Sequence, residues 1–417
     1  MRLLSDNPTT DDLLGFQVLA DFAAGVIVDR PDLPFTIGVF GEWGSGKTTL
    51  MKMVERRLED PIKTVWFNAW KYDGKEVLWN ALIQQIFYAM LTDPAIAAAE
   101  HASQFKSRVK EAAKELAAYA AKVAIRVVPG GLLRDEDVDA VVRILSSSAD
   151  SPGFNFVNQF ERTFDELVHE FVGDGCLVIF IDDLDRCLPE NAITVMEALK
   201  LYLDRANCVF VVGVEPNVIE EAIRQRYRDN PRLSATAYLE KIVQLPIVVP
   251  RAKTSAALAL LESAPYPLSS DDELLREVVK RGTDCNPRRV KRFVNAFAVA
   301  SATAPSTFSL SEQRAFAKVL SLQMAFPEFY RALAGRSHLL KKVEKGFRER
   351  PGDGGAVATE PDVGRFSADF ALGRFLEKTK EIPLAPKEIR RWSRVAGVVS
   401  GDETDGLDES DEEFLDA

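Results

Sequence analysis

The sequence predicts an α/β protein: a parallel sheet with helices on both faces, followed by a helical lid and a C-terminal helical region. The strands are predicted from five apolar, β-branched runs at 34–40, 63–70, 176–183, 208–215 and 243–249. Most of these runs lack polar–apolar alternation, which is typical of parallel strands that are covered on both faces. Helical stretches separate the runs, and this alternation of strand and helix indicates a doubly wound sheet.

The order of these elements predicts four regions along the 417 residues. A core spans 1–250, with a helical insertion at about 93–153 between the second and third strands. A helical lid spans 251–304, because the pattern after Pro250 is helical alone. A C-terminal helical region spans 305–398, and an acidic tail spans 399–417.

The tail accounts for most of the net charge of −11, because nine acidic residues and no basic ones lie between Asp402 and Asp416. Such a run of like charges is typical of a disordered, solvated segment, and an autoinhibitory or docking segment is the alternative. The rest of the chain has a net charge of only −2, so its overall charge does not indicate nucleic-acid binding. The four cysteines show no paired spacing and Asp6, Asp11 and Asp12 interrupt any apolar leader, so we expect a cytoplasmic location.

The insertion contains an Ala-rich helical stretch at 111–128. A membrane span needs about 20 largely uncharged residues, and Glu111, Lys114, Glu115, Lys122 and Arg126 interrupt this one. We therefore predict an amphipathic helix that packs on the domain, with peripheral membrane contact as the alternative and no transmembrane span.

A glycine-rich phosphate loop is predicted between the first strand and the helix that follows it. The spacing Gly41-x4-Gly46-Lys47-Thr48 matches the pattern in which converging backbone N–H groups and a helix N-terminus bind phosphate. Lys47 is expected at the β- and γ-phosphates of ATP, and the Thr48 hydroxyl at Mg²⁺. The predicted nucleotide-binding residues are Gly41, Glu42, Trp43, Gly44, Ser45, Gly46, Lys47, Thr48 and Thr49.

Acidic residues follow the third strand, where ligands bind in open α/β sheets. In "LVIFIDDLDRC", Asp182 fits the carboxylate of a Mg²⁺ site, and Asp183 fits the base that orients the attacking water. Asp185 is a second candidate for base or metal partner. We therefore predict Lys47, Asp183 and Asp185 as catalytic residues.

The basic start of a helix at "NPRRVKR" supplies a candidate phosphate-binding residue from the lid. Arg288 lies in a first helical turn, where the helix dipole disfavours cations, so we expect an anion nearby, such as the γ-phosphate. A solvated basic helix face is the alternative. An arginine finger from a neighbouring subunit is also expected in hydrolysis, and the candidates are Arg186, Arg224, Arg226 and Arg232.

Taken together, the chain resembles the KAP-type P-loop NTPases, which are related to AAA+ proteins and have an additional strand between the two nucleotide motifs. The resemblance covers about 35–300 and rests on "GVFGEWGSGKTTL", "WFNAWKYDGKEVLWNALI", "VIFIDDLDRC", "VFVVGVEPNVIEEAI", "YLEKIVQLPIVVP" and "NPRRVKRFVNAF". It implies nucleotide hydrolysis, a polar γ-phosphate sensor near Glu215, and, for bacterial members, defence against phages and plasmids. Many members also carry a membrane-spanning insertion, which this sequence does not support.

We therefore predict an ATP hydrolase that acts as a nucleotide-driven switch for assembly or partner binding. ATP is preferred to GTP because no guanine-reading Asn-Lys-x-Asp occurs at the fitting place. The expected partners are further copies of the chain or another protein. The alternatives are a nucleotide-gated scaffold with little turnover and a nucleic-acid-linked motor, for which only 284–292 is dense in Lys and Arg.

Overall fold

The computed structural model describes residues 3–8, 12–29, 34–73, 78–126, 152–201, 207–227, 234–262, 272–303, 309–348 and 361–400. The acidic tail from residue 401 and the part of the insertion at 127–151 lie outside the described residues, as does Arg232. The chain divides into two compact units. The sheet unit comprises Pro8–Asp11 and Phe16–Pro250, and the helical unit comprises Met1–Asn7, Asp12–Gly15 and Arg251–Ala417.

The sheet unit is built on five parallel strands in the order β2-β3-β4-β1-β5. Their bounds are β1 Phe35–Phe40, β2 Lys63–Asn68, β3 Leu177–Asp182, β4 Cys208–Val214 and β5 Leu245–Val248. Strands β3 and β4 are buried along their whole length, which explains why their sequences are continuous apolar runs. The predicted parallel sheet is confirmed. Strand β2, which lies between the two nucleotide motifs in the sequence, is at the sheet edge beside β3, and β4 separates β1 from β3.

Helices flank this sheet. They are α1 Gln17–Val28, α2 Lys47–Glu55, α3 Leu78–Thr92, α4 Pro94–Ala98, α5 Ala102–Arg126, α6 Pro152–Val172, α7 Pro189–Leu201, α8 Pro216–Arg226 and α9 Ala235–Ile242. Helix α1 was not expected from the sequence, whereas α4 and α5 lie in the expected helical insertion. The insertion helix α5 is amphipathic, and four of its residues belong to the hydrophobic core of this unit: Phe105, Val109, Ala112 and Leu116. Among the described residues, no helix is both long enough and apolar enough to cross a membrane.

The helical unit contains α10 Thr254–Glu262, α11 Glu273–Thr283, α12 Pro287–Thr303, α13 Leu310–Ala325, α14 Pro327–Gly335, α15 Leu339–Arg348, α16 Pro361–Ser367, α17 Phe370–Lys378 and α18 Pro386–Ser400. They share one hydrophobic core, in which residues of the expected lid and of the expected C-terminal region pack together, as Phe297 does on Phe316. A single helix was expected at 310–334. It is interrupted at Phe326, because Pro327 disfavours helical backbone at the residue before it.

The N-terminal segment groups with the helical unit rather than with the core, to which the sequence interpretation had assigned all of 1–250. Asn295 on α12 explains this, because its amide accepts a hydrogen bond from the Leu4 backbone N–H (2.8 Å) and donates one to the Leu4 carbonyl (2.9 Å). Residues 3–7 carry no periodic pattern that would have predicted a partner in the sequence.

Candidate functional site

The loop between β1 and α2 is shaped by its glycines. Gly44 (φ 80°) and Gly46 (φ 105°) have left-handed backbone, which glycine adopts at little cost. At Gly41 a Cβ atom would lie 2.6 Å from Ser45 Oγ, so a larger residue would require the Ser45 side chain to move. Helix α2 begins directly after Gly46, and its first backbone N–H groups therefore face the loop, as phosphate binding requires.

The side chain of Lys47 folds back over this loop and is buried. Its ammonium group donates to the Gly41 carbonyl (2.8 Å) and the Glu42 carbonyl (3.4 Å), and it lies 3.2 Å from Asp185 Oδ2. The positive charge is therefore held at the loop by backbone dipoles and one carboxylate. Such a charge is placed to interact with an anion that enters the loop.

Thr48 and Asp182 meet across the site. The Thr48 hydroxyl donates a 2.8 Å hydrogen bond to Asp182 Oδ2, joining the first turn of α2 to the end of β3. Burial, and next the neighbouring charge of Asp183, raise the pKa of the Asp182 carboxyl above its ordinary value of 3.8. A cation beside this pair would relieve both effects, and hydroxyl and carboxylate oxygens are ligands that Mg²⁺ prefers. The residues present therefore fit a magnesium ion.

A buried polar atom in the loop also fits a ligand. Ser45 Oγ is excluded from solvent and has no hydrogen-bond partner among the described residues. Because an unsatisfied buried hydroxyl costs free energy, a phosphate oxygen or a water molecule at this place would satisfy it. Of the other predicted loop residues, Thr49 is buried on α2, whereas Glu42 and Trp43 are exposed.

Asp183 has both carboxylate oxygens engaged. Asn68 Nδ2 donates to Oδ2 (2.7 Å), and Arg186 Nη2 lies 2.7 Å from Oδ1. The residue itself has left-handed backbone (φ 58°), which is uncommon outside glycine and is often found at functional sites. Asn68 was missed in the sequence interpretation. Its position at the end of an apolar strand indicated the edge of the sheet at which it lies, but not the acid that it contacts.

Asp185 is buried and accepts three donors through one oxygen. Besides the Lys47 ammonium, Asp185 Oδ2 accepts hydrogen bonds from Trp43 Nε1 (3.1 Å) and from the Glu215 backbone N–H (2.9 Å). It therefore ties the phosphate loop to the ends of β3 and β4. Glu215 was expected near a γ-phosphate sensor, and its backbone N–H is the group that contacts Asp185.

The candidate arginines lie in different surroundings. Arg288 belongs to the helical unit, where its backbone N–H donates to Asn286 Oδ1 (3.1 Å) and its Nε lies 3.7 Å from Asp6 Oδ2. The anion expected near this helix start is therefore, in part, a carboxylate of the N-terminal segment. In the sheet unit, Arg224 pairs with glutamates of its own helix and Arg226 with Glu197.

Comparisons with known proteins identify a family and a structural relative. A family model described as the KAP family P-loop domain matches residues 16–304. The Orc1 protein of Aeropyrum pernix, solved in complex with DNA, is similar in structure, with 15% sequence identity and a TM-score of 0.39 over 93% of this chain and 83% of that chain. No curated protein sequence matches the chain.

Proposed function

Because the chain belongs to the KAP family of P-loop NTPases, we propose that it hydrolyses ATP with Mg²⁺ and that the nucleotide cycle switches its assembly or its binding to another protein. The observation that carries the proposal is the 2.8 Å hydrogen bond between the Thr48 hydroxyl and Asp182. It brings together, from two separate motifs, the two oxygen ligands that a magnesium–nucleotide complex requires.

The roles we assign follow from the contacts of each side chain. The backbone N–H groups of the loop and the Lys47 ammonium bind the phosphates, and Asp185 holds Lys47 at the loop. Thr48 and Asp182 would hold Mg²⁺, which supplies positive charge to the phosphate oxygens. Asp183 orients the attacking water and accepts its proton. For Arg288 we propose a contact with the γ-phosphate.

The setting we propose is cytoplasmic, with bacterial defence against phages or plasmids as the biological role. The resemblance to the family is the support for that role. The proposed partner is a further copy of the chain or another protein.

One observation favours a second candidate, a nucleotide-gated scaffold with little turnover. Both oxygens of Asp183 have a partner, Asn68 and Arg186, which hold the proposed base and compete with water for it in this state. A protein in which this arrangement persisted after ATP binding would hold nucleotide without hydrolysing it.

The test measures phosphate release and ATP binding on the same samples. We expect wild type to release phosphate when ATP and Mg²⁺ are present, Asp183→Asn to bind ATP in calorimetry without release, and Lys47→Ala to lose binding. Tight binding by wild type with no release, at any protein concentration, would favour the scaffold. No binding by wild type would overturn both proposals.

The proposed switch in assembly is tested separately, by measuring the molecular mass of the protein in solution. Light scattering with and without ATP and Mg²⁺ should show a change in the mass of wild type that Lys47→Ala does not show. An unchanged mass, together with no ATP-dependent gain of a partner, would contradict the switch while leaving hydrolysis intact.

A further inference from the structure

Two short turns stand side by side where strands β2 and β3 end. Each is one turn of 3₁₀-helix, Ala69–Lys71 after β2 and Leu184–Arg186 after β3. The strands are paired in register, with Asn68 opposite Asp182. The turns therefore bring the side chains of Asn68 and Trp70 to the same edge as those of Asp183 and Arg186.

The guanidinium group of Arg186 lies between an aromatic ring and a carboxylate. Its central carbon is 5.3 Å from the centroid of the Trp70 ring, within the range of a cation–π contact. Its Nη2 is 2.7 Å from Asp183 Oδ1, while Asn68 binds the other oxygen. The contact with Trp70 therefore positions the Arg186 guanidinium within hydrogen-bond distance of Asp183.

This arrangement opposes the chemistry assigned to Asp183. A charge-assisted hydrogen bond from a guanidinium fixes the orientation of the carboxylate and competes with water for one of its oxygens. Each oxygen can accept a further hydrogen bond, so the guanidinium restrains Asp183 rather than blocking it. We therefore expect Asp183 to orient water better once Arg186 has withdrawn.

The contact is weak enough to open during a catalytic cycle. The side chain of Arg186 is 31% exposed and Trp70 is 56% exposed, so water competes for the guanidinium group. The Asp183 backbone N–H donates to Asp182 Oδ1 (3.0 Å), which links the held carboxylate to the acid of the Thr48 pair. A rearrangement of Asp182 when nucleotide binds would thereby move Asp183 relative to Arg186.

We propose that Arg186, seated on Trp70, is a positioning residue that restrains Asp183 in the nucleotide-free state and gates the hydrolysis step. The proposal rests on the proposed function of Asp183. It differs from the expectation that Arg186 serves as an arginine finger of a neighbouring subunit, because the guanidinium acts on its own chain and slows hydrolysis.

The test compares kcat with ATP affinity. Arg186→Gln and Trp70→Ala should each raise kcat about two- to fivefold and leave the Kd for ATP unchanged within twofold. Adding Asp183→Asn to Arg186→Gln should abolish the gain. Arg108→Gln is the matched control, because Arg108 is also ion-paired in the sheet unit, with Glu166 and Glu170, and we expect wild-type kcat from it. A kcat that falls or stays unchanged in Arg186→Gln overturns the proposal, and a fall would indicate a role in stabilising the transition state.

A second measurement does not need hydrolysis. Removal of the guanidinium from the Trp70 ring changes the emission of that tryptophan, so ATP with Mg²⁺ should change the fluorescence of wild type more than that of Trp70→Phe. If wild type shows this difference and releases no phosphate, the proposed function fails while the displacement of Arg186 stands. Equal changes in the two proteins would overturn the displacement even if hydrolysis is measured.

Discussion

The Lys47 ammonium lies 3.2 Å from Asp185 Oδ2, so a buried ion pair joins the phosphate loop to the turn after β3. Asp185 also accepts from Trp43 and Glu215, which makes one carboxylate the common anchor of three chain segments. A buried charge is costly to leave without its partner. The pair therefore shapes the loop before any nucleotide is present.

Asp185→Ala is expected to destabilise the sheet unit by about 3 kcal/mol, because it leaves the buried Lys47 ammonium without its counter-charge and takes the acceptor from the Trp43 and Glu215 N–H groups. Urea unfolding followed by tryptophan fluorescence measures this, since Trp43, Trp66, Trp70 and Trp79 lie in the sheet unit and only Trp392 lies in the helical unit. The double variant Lys47→Met, Asp185→Ala should lose about 1 kcal/mol less than the sum of the two single variants. Additive losses would contradict the ion pair.

The raised pKa of Asp182 predicts a stability that depends on pH. Because burial and Asp183 raise this pKa in the folded state, the folded protein binds a proton more tightly than the unfolded chain does. The contribution of Asp182 to the free energy of unfolding is therefore fully present below the ordinary pKa of 3.8. It is lost as the pH rises through the raised pKa of the folded state. At neutral pH the ionised carboxylate destabilises the nucleotide-free protein.

Asp182→Asn should accordingly raise the melting temperature of the nucleotide-free protein by a few degrees at pH 8, with a smaller gain as the pH approaches 4. The Thr48 hydroxyl can rotate to accept from the new amide, so the hydrogen bond between the two positions is kept. The same variant should lose the rise in melting temperature that ATP and Mg²⁺ give to wild type. A lower melting temperature at pH 8 would contradict this account.

Gly213 on β4 is predicted to be intolerant of a side chain. A Cβ atom there would lie 2.7 Å from Met51 Sδ and 3.3 Å from Asp182 Oδ1. Gly213→Ala should therefore destabilise the sheet unit by about 1–2 kcal/mol, because a packed core resists added volume. It should also weaken Mg²⁺-dependent ATP binding in calorimetry, since Asp182 is one of the displaced groups.

Gly25→Ala on α1 is the matched control, because a Cβ atom at that position meets nothing within 4 Å. An alanine in a helix is favoured over glycine by about 0.5–1 kcal/mol, so this variant should be slightly stabilised and should bind ATP as wild type does. Equal effects of the two substitutions would show that crowding at Met51 and Asp182 is not the cause.

The sheet was predictable because its strands are continuous apolar runs bounded by helices, and the phosphate loop because its chemistry needs glycines at fixed spacing. The same signals placed Thr48 and Asp182 at one edge, where the structure joins them. The contacts of Asp183 and Asp185 were not predictable, because they depend on which polar groups of other strands face the acids. Asn68 and Trp43 carry no spacing signal that ties them to residues more than 100 positions away.

The N-terminal segment shows the same limit in the helical unit. Its partner Asn295 lies 291 residues from Leu4, and no local pattern in either segment indicates the pairing. The break at Pro327, by contrast, follows from the sequence alone, and the expected single helix at 310–334 was wrong because the restriction on the residue before proline was not applied.

Asn295→Ala is expected to release the N-terminal segment. The Asn295 amide both accepts from the Leu4 backbone N–H and donates to the Leu4 carbonyl, so its removal leaves both groups without this partner. Hydrogen exchange at the Leu4 amide, measured by mass spectrometry on the N-terminal peptide, should therefore become at least about tenfold faster, the factor that corresponds to a loss of about 1.4 kcal/mol.

Asp6→Asn is the control and should leave the exchange rate within about twofold. The ion pairs of Asp6 with Arg288 (3.7 Å) and Arg292 (4.0 Å) are long and partly exposed, and such pairs contribute little to stability. If Asp6→Asn accelerates exchange as much as Asn295→Ala does, charge rather than the amide pairing holds the segment on α12.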